Sequence, residues 1–342
     1  MTELVVAKKK HTKLFKWLIQ MMPTEFAEYD SSRMSFAFFS ISGLDVLNTL
    51  DESMAPDEKK RASDWIYRLQ VRNNGPKDGF QASTMVPDSV PKYQRGHLAM
   101  TYTSLATLLV LGDDLARIQP YRKALALGVQ ACQCPDGSFS AMLNNSESDM
   151  RFLYCACCIS AIIDDWSGVD KPRAIEYILQ SISYDGAMGQ GPDLESHGGS
   201  TFCAVASLVL MKELDNVLSN DQLQRLRRWC LMRQTDGFQG RPGKPSDTCY
   251  SFWIGATLQL LDVAQFSDHK ANRDFVLSTQ DMIFGGFGKF QDARSDPLHT
   301  YLGLGGLSLL GEPGLQPMNA ALNISNRAYA HLKEIHKRWQ SE

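Results

Sequence analysis

The sequence predicts an all-α fold, a six-membered α-α barrel of repeated helix pairs, and three observations carry that expectation. A glycine turn recurs along the chain as Asp78-Gly79-Phe80, Asp136-Gly137-Ser138-Phe139, Asp185-Gly186, Asp236-Gly237-Phe238 and Gly285-Gly286-Phe287. An apolar segment follows each turn and carries an aromatic residue near its start: Tyr102, Tyr154, Phe202, Tyr250 and Tyr301, at intervals of 52, 48, 48 and 51 residues. A period near fifty accommodates a helix pair with two connections and is too long for one helix. The segments follow helix periodicity, and no run reads as an alternating strand.

In chain order, Ser32 to Leu50, with Phe38-Phe39, reads as a divergent first copy, and the five turn-led segments complete six pairs. In Thr201 to Met211 apolar residues surround the helix almost completely, which predicts a buried inner helix. Asp221 to Arg233, with Arg225, Arg227 and Arg228, is amphipathic and belongs outside. The glycine turns end one helix and redirect the chain where φ > 0 is needed. An open solenoid would want polar capping repeats at both ends, and the sequence offers no clear pair. Residues 1–342 are expected to form one domain, with repeats over about 32–323 between a short N-terminal lead-in and a C-terminal helix.

A net charge of −3 argues against a general nucleic-acid binder. The Lys8-Lys9-Lys10-His11-Thr12-Lys13 run reads as the solvated start of the first helix. No secretory apolar core follows Met1, and the apolar stretches stop short of a transmembrane segment. Eight cysteines without a paired pattern, three of them at Cys155, Cys157 and Cys158, suit a reducing, cytoplasmic compartment.

The repeat places polar groups at equivalent positions. Arg151 precedes Tyr154 by three residues, Asp247 precedes Tyr250 by three, His299 precedes Tyr301 by two and His197 precedes Phe202 by five. All fall at inner-helix N-termini, which in a barrel share one rim. Asp247, Cys249 and His299 thus meet as a carboxylate, a thiolate and an imidazole, a three-ligand set that leaves a tetrahedral zinc one open position. The close Asp-x-Cys spacing works at a helix start, where Asp247 stands in the cap region.

Arg151, His197 with Gly198-Gly199, Arg241, Lys244 and Lys289 gather at the same rim. Helix N-termini already favour anions, and these cations suit them to a diphosphate. Tyr250, Phe252, Trp253, Phe39 and Tyr102 offer aromatic walls, with Phe252 and Tyr102 expected in the core. Zinc that acidifies a thiol, a diphosphate cradle and an apolar cavity together point to S-prenylation. A terpene cyclase on the same barrel would need acidic motifs that Asp113-Asp114 and Asp164-Asp165 do not complete. A scaffold without enzymatic activity would bind neither zinc nor prenyl diphosphates.

Gly96-His97-Leu98-Ala99-Met100-Thr101-Tyr102-Thr103, Asp149-Met150-Arg151-Phe152, Glu195-Ser196-His197-Gly198-Gly199-Ser200-Thr201-Phe202 and Asp247-Thr248-Cys249-Tyr250-Ser251-Phe252-Trp253 carry a resemblance. From about Ser32 to Asn323 the chain resembles the β subunits of protein prenyltransferases, specifically the type I geranylgeranyltransferase branch, with the farnesyl and Rab-type branches as alternatives. The resemblance implies one zinc ion per β subunit, an obligatory helical α subunit and geranylgeranyl diphosphate as donor. It also implies acceptors ending in Cys-a-a-X, X preferably Leu or Phe, small GTPases among them.

By the same resemblance Asp247, Cys249 and His299 are the zinc ligands. Arg151, His197, Gly198, Gly199, Arg241, Lys244 and Tyr250 meet the donor's diphosphate end, and Trp253 walls its isoprenoid channel. His97, Ala99 and Phe152 surround the acceptor's last side chain; Ser35, Phe39 and Leu298 lie nearer the penultimate one. Tyr250 and Lys289 take the catalytic roles. Ser35 stands where farnesyltransferases carry a channel-shortening Trp, and the type I branch more often carries Thr there. Lys289 stands where magnesium-dependent relatives carry Asp, so magnesium is expected to be dispensable.

Overall fold

The computed structural model describes residues 4–21, 31–72, 75–83, 94–143 and 146–341. Its helices run in order as α1 (Lys8–Gln20), α2 (Arg33–Val46), α3 (Leu50–Ser53), α4 (Pro56–Arg68), α5 (Leu98–Leu111), α6 (Arg122–Ala131), α7 (Met150–Ile163) and α8 (Lys171–Gln180). They continue as α9 (Gly198–Met211), α10 (Leu214–Val217), α11 (Asn220–Leu231), α12 (Tyr250–Leu260), α13 (His269–Ser278), α14 (Pro297–Leu309) and α15 (Asn326–Ser341). The apolar segments become α2, α5, α7, α9, α12 and α14. Each packs on the next, and α14 returns to α2. The ring is closed, so no polar capping repeat is needed.

Residue chemistry sorts the layers. In α5 every residue except Ala99 is buried, the small hydroxyl residues Thr101, Thr103, Ser104 and Thr107 included, as an inner helix demands. In α11 only Leu226, Trp229 and Cys230 are buried, while Arg225 and Arg228 face water. Ser219 and Gln222 close its N-terminus as a capping box. The outer helices α1, α4, α6, α8, α11 and α13 each precede and pack on an inner partner. The N-terminal segment is therefore more than a lead-in: α1 opens at the lysine run, buries His11, Leu14 and Phe15, and forms the first pair with α2.

Two hydrogen-bond devices repeat around the ring. The first N–H groups of three successive inner helices, and that of Thr248 in the turn leading into α12, are taken by the next repeat's turn: Leu98 by the Ala141 carbonyl at 2.8 Å, Met150 by Gln190 at 3.0 Å, Gly198 by Gly240 at 2.8 Å and Thr248 by Lys289 at 2.9 Å. Thr101, Thr201 and Thr300 each accept, at Oγ1, the N–H of Phe80, Met188 and Phe287 in their own turn. Short antiparallel ladders also form in the connections, such as Gln70–Val71 with Gly79–Phe80 and Phe287–Gly288 with Ser295–Asp296. Two residues are too few to show alternation, so the sequence reveals none of them.

The glycine turns have two causes. Gly137 and Gly186 adopt φ of 90° and 96°, as expected. Gly237 does not; a Cβ there would lie 2.3 Å from the Phe275 ring on the following outer helix.

The aromatic residues form a girdle. Ring centroids lie 5.9 Å apart for Phe38–Tyr102, 5.7 Å for Tyr102–Tyr154, 5.2 Å for Tyr154–Phe202, 5.4 Å for Phe202–Phe252 and 5.3 Å for Phe38–Tyr301. In the fourth interval the girdle residue is Phe252 rather than Tyr250, which stays at the rim because α12 begins there. Phe252 and Tyr102 are core, as expected. At the barrel's base, Tyr102, Tyr154 and Tyr301 donate their hydroxyls to the carbonyls of Leu322, Ala321 and Asn323 at 2.9, 2.9 and 2.7 Å. The segment between α14 and α15 thereby plugs the barrel from below.

Candidate active site and metal centre

Asp247, Cys249 and His299 converge at the rim, with one ligand atom from each lying within 4.8 Å of the others. Asp247 precedes α12 and accepts the Cys249 N–H at 3.0 Å, so the turn itself aims carboxylate and thiol to one side. His299 is the third residue of α14. Its Nε2 stands 3.2 Å from Asp247 Oδ1 and its Nδ1 2.6 Å from Asp296 Oδ2. Asp296 also caps α14 by accepting the His299 N–H. It therefore fixes the imidazole with Nε2 facing the cluster, the arrangement that metal-bound histidines require.

The electrostatics favour a cation. Burial works against charge on His299, but hydrogen bonds to Asp247 and Asp296 and their charges push it up to about 9. Burial raises Asp247, yet hydrogen bonds from His299 and Cys249 hold it below its ordinary value. Burial, then the Asp247 charge, drives the Cys249 thiol well above 9. Lys289, with its ammonium 3.7 Å from Asp247 Oδ2, offsets part of that anionic field. One oxygen, one sulfur and one nitrogen donor, with the imidazole held by a second carboxylate, fit a zinc ion.

Around this centre the helix starts carry the other rim residues. His197 caps α9: its Nδ1 accepts from Gly199 N–H at 3.1 Å and Ser200 N–H at 3.3 Å. Nδ1 is thus an acceptor, and Nε2–H donates to Tyr250 Oη at 2.8 Å. The phenol keeps its own proton to give. Burial, then the charge of Arg241, holds His197 below its ordinary value and keeps the ring neutral. Gly198 lets Tyr250 lie close, since a Cβ there would meet its ring at 3.1 Å.

Arg151, the second residue of α7, is held by Asp149, which accepts from its Nη2 at 2.7 Å and its backbone N–H at 2.8 Å. Gln190 Nε2 donates to the same carboxylate at 2.7 Å. Arg241 pairs with Glu195 at 2.9 Å, and Lys244 is exposed on the same turn, its N–H donating to the Arg241 carbonyl.

Trp253 is half-buried, 5.0 Å from Phe202 between ring centroids. His97 caps α5 and lies 5.9 Å from Phe152; Ala99 is half-buried beside it in the first turn. Ser35 on α2 contacts Met100 Sδ at 3.9 Å, and Phe39 packs 5.8 Å from Tyr301. Leu298 is exposed, at 37 %, one residue before His299.

Sequence reasoning missed Asp149 and Asp296. Both stand two or three residues ahead of a site residue at a helix start, a spacing that marks an N-cap able to reach forward.

The model of the prenyltransferase alpha-alpha toroid domain matches residues 6–324, and the chain belongs to that family. It is 38 % identical to the type-1 geranylgeranyl transferase β subunit of Arabidopsis thaliana, covering 93 % of this chain and 88 % of that one. Identity to the counterpart from Dictyostelium discoideum is 35 %, covering 94 % and 96 %. The solved Candida albicans protein geranylgeranyltransferase-I complexed with GGPP superposes with a TM-score of 0.88 at 27 % identity, covering 96 % of this chain and 99 % of that one. Within the family the chain thus falls among the type I protein geranylgeranyltransferase β subunits.

Proposed function

We propose that this chain, acting as one unit over residues 1–342 with a helical α subunit in the cytoplasm, transfers a C20 geranylgeranyl group from geranylgeranyl diphosphate to a cysteine thiol. The acceptors are proteins ending in Cys-a-a-X, X preferably Leu or Phe, such as small GTPases. The observation that carries this reading is the Asp247–Cys249–His299 cluster beside a cationic rim above an aromatic-walled barrel. Asp247, Cys249 and His299 would hold a zinc ion, which when bound would lower the pKa of an acceptor thiol towards neutrality.

The remaining steps belong to the protein. Arg151, Arg241 and Lys244 bind the diphosphate, and Gly198 and Gly199 let it approach α9. As the C–S bond forms, the C–O bond to diphosphate breaks and the electron pair leaves with the phosphate oxygen. Tyr250, oriented by His197, donates to that oxygen as charge grows. Lys289 adds fixed positive charge beside it, so magnesium is not required. Trp253 walls the isoprenoid channel, Ser35 leaves room for the fourth isoprene unit, and His97, Ala99, Phe152, Phe39 and Leu298 meet the acceptor's tail.

Co-expression with an α subunit and comparison of C15 and C20 donors tests the reading. The C20 donor should have the higher kcat/KM, and Ser35→Trp should shift preference towards C15. An unmoved ratio in Ser35→Trp places the channel floor on other residues.

A further inference from the structure

The outer layer must close where α1 meets the last glycine turn, a junction between residues 275 apart in sequence. A Cβ on Gly285 would lie 2.4 Å from the Lys10 carbonyl oxygen, so α1 packs directly on this turn. The fully buried His11 closes it. Its Nδ1 accepts the Gly286 N–H at 2.7 Å, its Nε2–H donates to Gln280 Oε1 at 2.9 Å, and its ring lies 4.8 Å from that of Phe287.

From Gly286 the chain runs through Phe287 and Gly288 to Lys289. Phe287 N–H donates to Thr300, the neighbour of His299, at 3.0 Å. The Gly288 carbonyl accepts the Thr248 hydroxyl at 2.7 Å, and the Lys289 carbonyl accepts the Thr248 N–H at 2.9 Å. Thr248 lies between Asp247 and Cys249. One short strand therefore touches both segments that carry the metal donors.

We propose that His11 is a positioning residue for the metal centre. It anchors the start of the Gly286–Lys289 strand, and that strand sets the distance between the Asp247–Cys249 turn and His299 and the placement of Lys289. The assignment rests on the reading of the triad as a zinc site. Without His11 the buried Gly286 N–H loses its acceptor, while α1 keeps its bond from Ala7 N–H to Gln280. The strand shifts without α1 leaving.

The test follows zinc release to a chelator from the α/β heterodimer, together with thermal stability. His11→Phe should release zinc faster, by up to about 10-fold, at the low end of what loss of a group bonded directly to a ligand causes in affinity. His11→Asn places Oδ1 where Nδ1 stood, keeps an acceptor for Gly286 and should restore most of the difference. Trp229→Phe removes the bond to Asp185 at another turn–helix junction; it should lower the melting temperature and leave zinc release unchanged. Wild-type release from both His11 variants, or equally fast release from Trp229→Phe, overturns the assignment alone. A wild-type heterodimer that holds no zinc overturns the metal reading and the assignment with it.

Discussion

The two ends of the barrel use the same residue types to opposite effect. At the base, the hydroxyls of Tyr102, Tyr154 and Tyr301 each meet a carbonyl of the plug. At the rim, Tyr250 receives a bond from His197 and keeps its proton to donate. Asp45 near the base is satisfied by Ser325 and Arg327. Asp247 at the rim faces a histidine and a thiol, a donor set that suits a metal cation, with the Lys289 ammonium beside it. Polar groups satisfied within the chain stabilise a fold; polar groups converging on one point bind a ligand there.

Substitutions at the two ends should therefore separate stability from rate. The largest effect is expected in the girdle that divides them: Phe252→Ala removes a fully buried ring and should cost about 3–5 kcal/mol of stability, read by denaturant unfolding. At the rim, Lys289→Ala should lower kcat by roughly 10- to 1000-fold with little change in donor affinity, because the charge it offsets grows in the transition state. Lys289→Asp should regain part of that loss only with millimolar magnesium. A Lys289→Asp enzyme as fast as wild type without magnesium removes the lysine from the mechanism.

His11, buried behind the rim, gives the comparison a pH axis. Burial, partly offset by the bond to Gln280, lowers it from 6.5 to about 4. Between those values the unfolded chain binds a proton that the folded chain refuses, so stability rises with pH. The contribution is complete above pH 6.5 and is lost as pH falls towards 4. At about 1.4 kcal/mol per unit, wild type should lose roughly 2 kcal/mol more than His11→Gln between about pH 7 and about pH 5 in chemical denaturation. Parallel slopes would show that His11 titrates in the fold as it does in the unfolded chain, and would contradict the effect of burial.

The smallest expected contrast is between single hydroxyls. Tyr154→Phe should cost about 1–3 kcal/mol of stability and leave kcat near wild type, since it strands a buried carbonyl. Tyr250→Phe should do the reverse, lowering kcat with little change in unfolding.

The rim was legible in the sequence because it recurs: a turn, a helix start and a polar residue at matching offsets put Arg151, His197, Asp247 and His299 together. The register slipped at α12, where Tyr250, Phe252 and Trp253 crowd into four residues and the helix begins late. Asp149 and Asp296 were passed over because a capping aspartate looks ordinary until its second oxygen is seen on Arg151 or His299. The ring's final closure was illegible for a different reason. His11 and Gly286 are joined only by the fold, and a lone histidine beside lysines carries no sign of a distant backbone partner.

Metal content measures the central claim most directly. The α/β heterodimer, purified and dialysed without chelator, should contain one zinc per β chain, and an Asp247→Ala, Cys249→Ala double variant should contain none and have no transferase activity. Full zinc occupancy in the double variant would place the metal elsewhere and contradict the account.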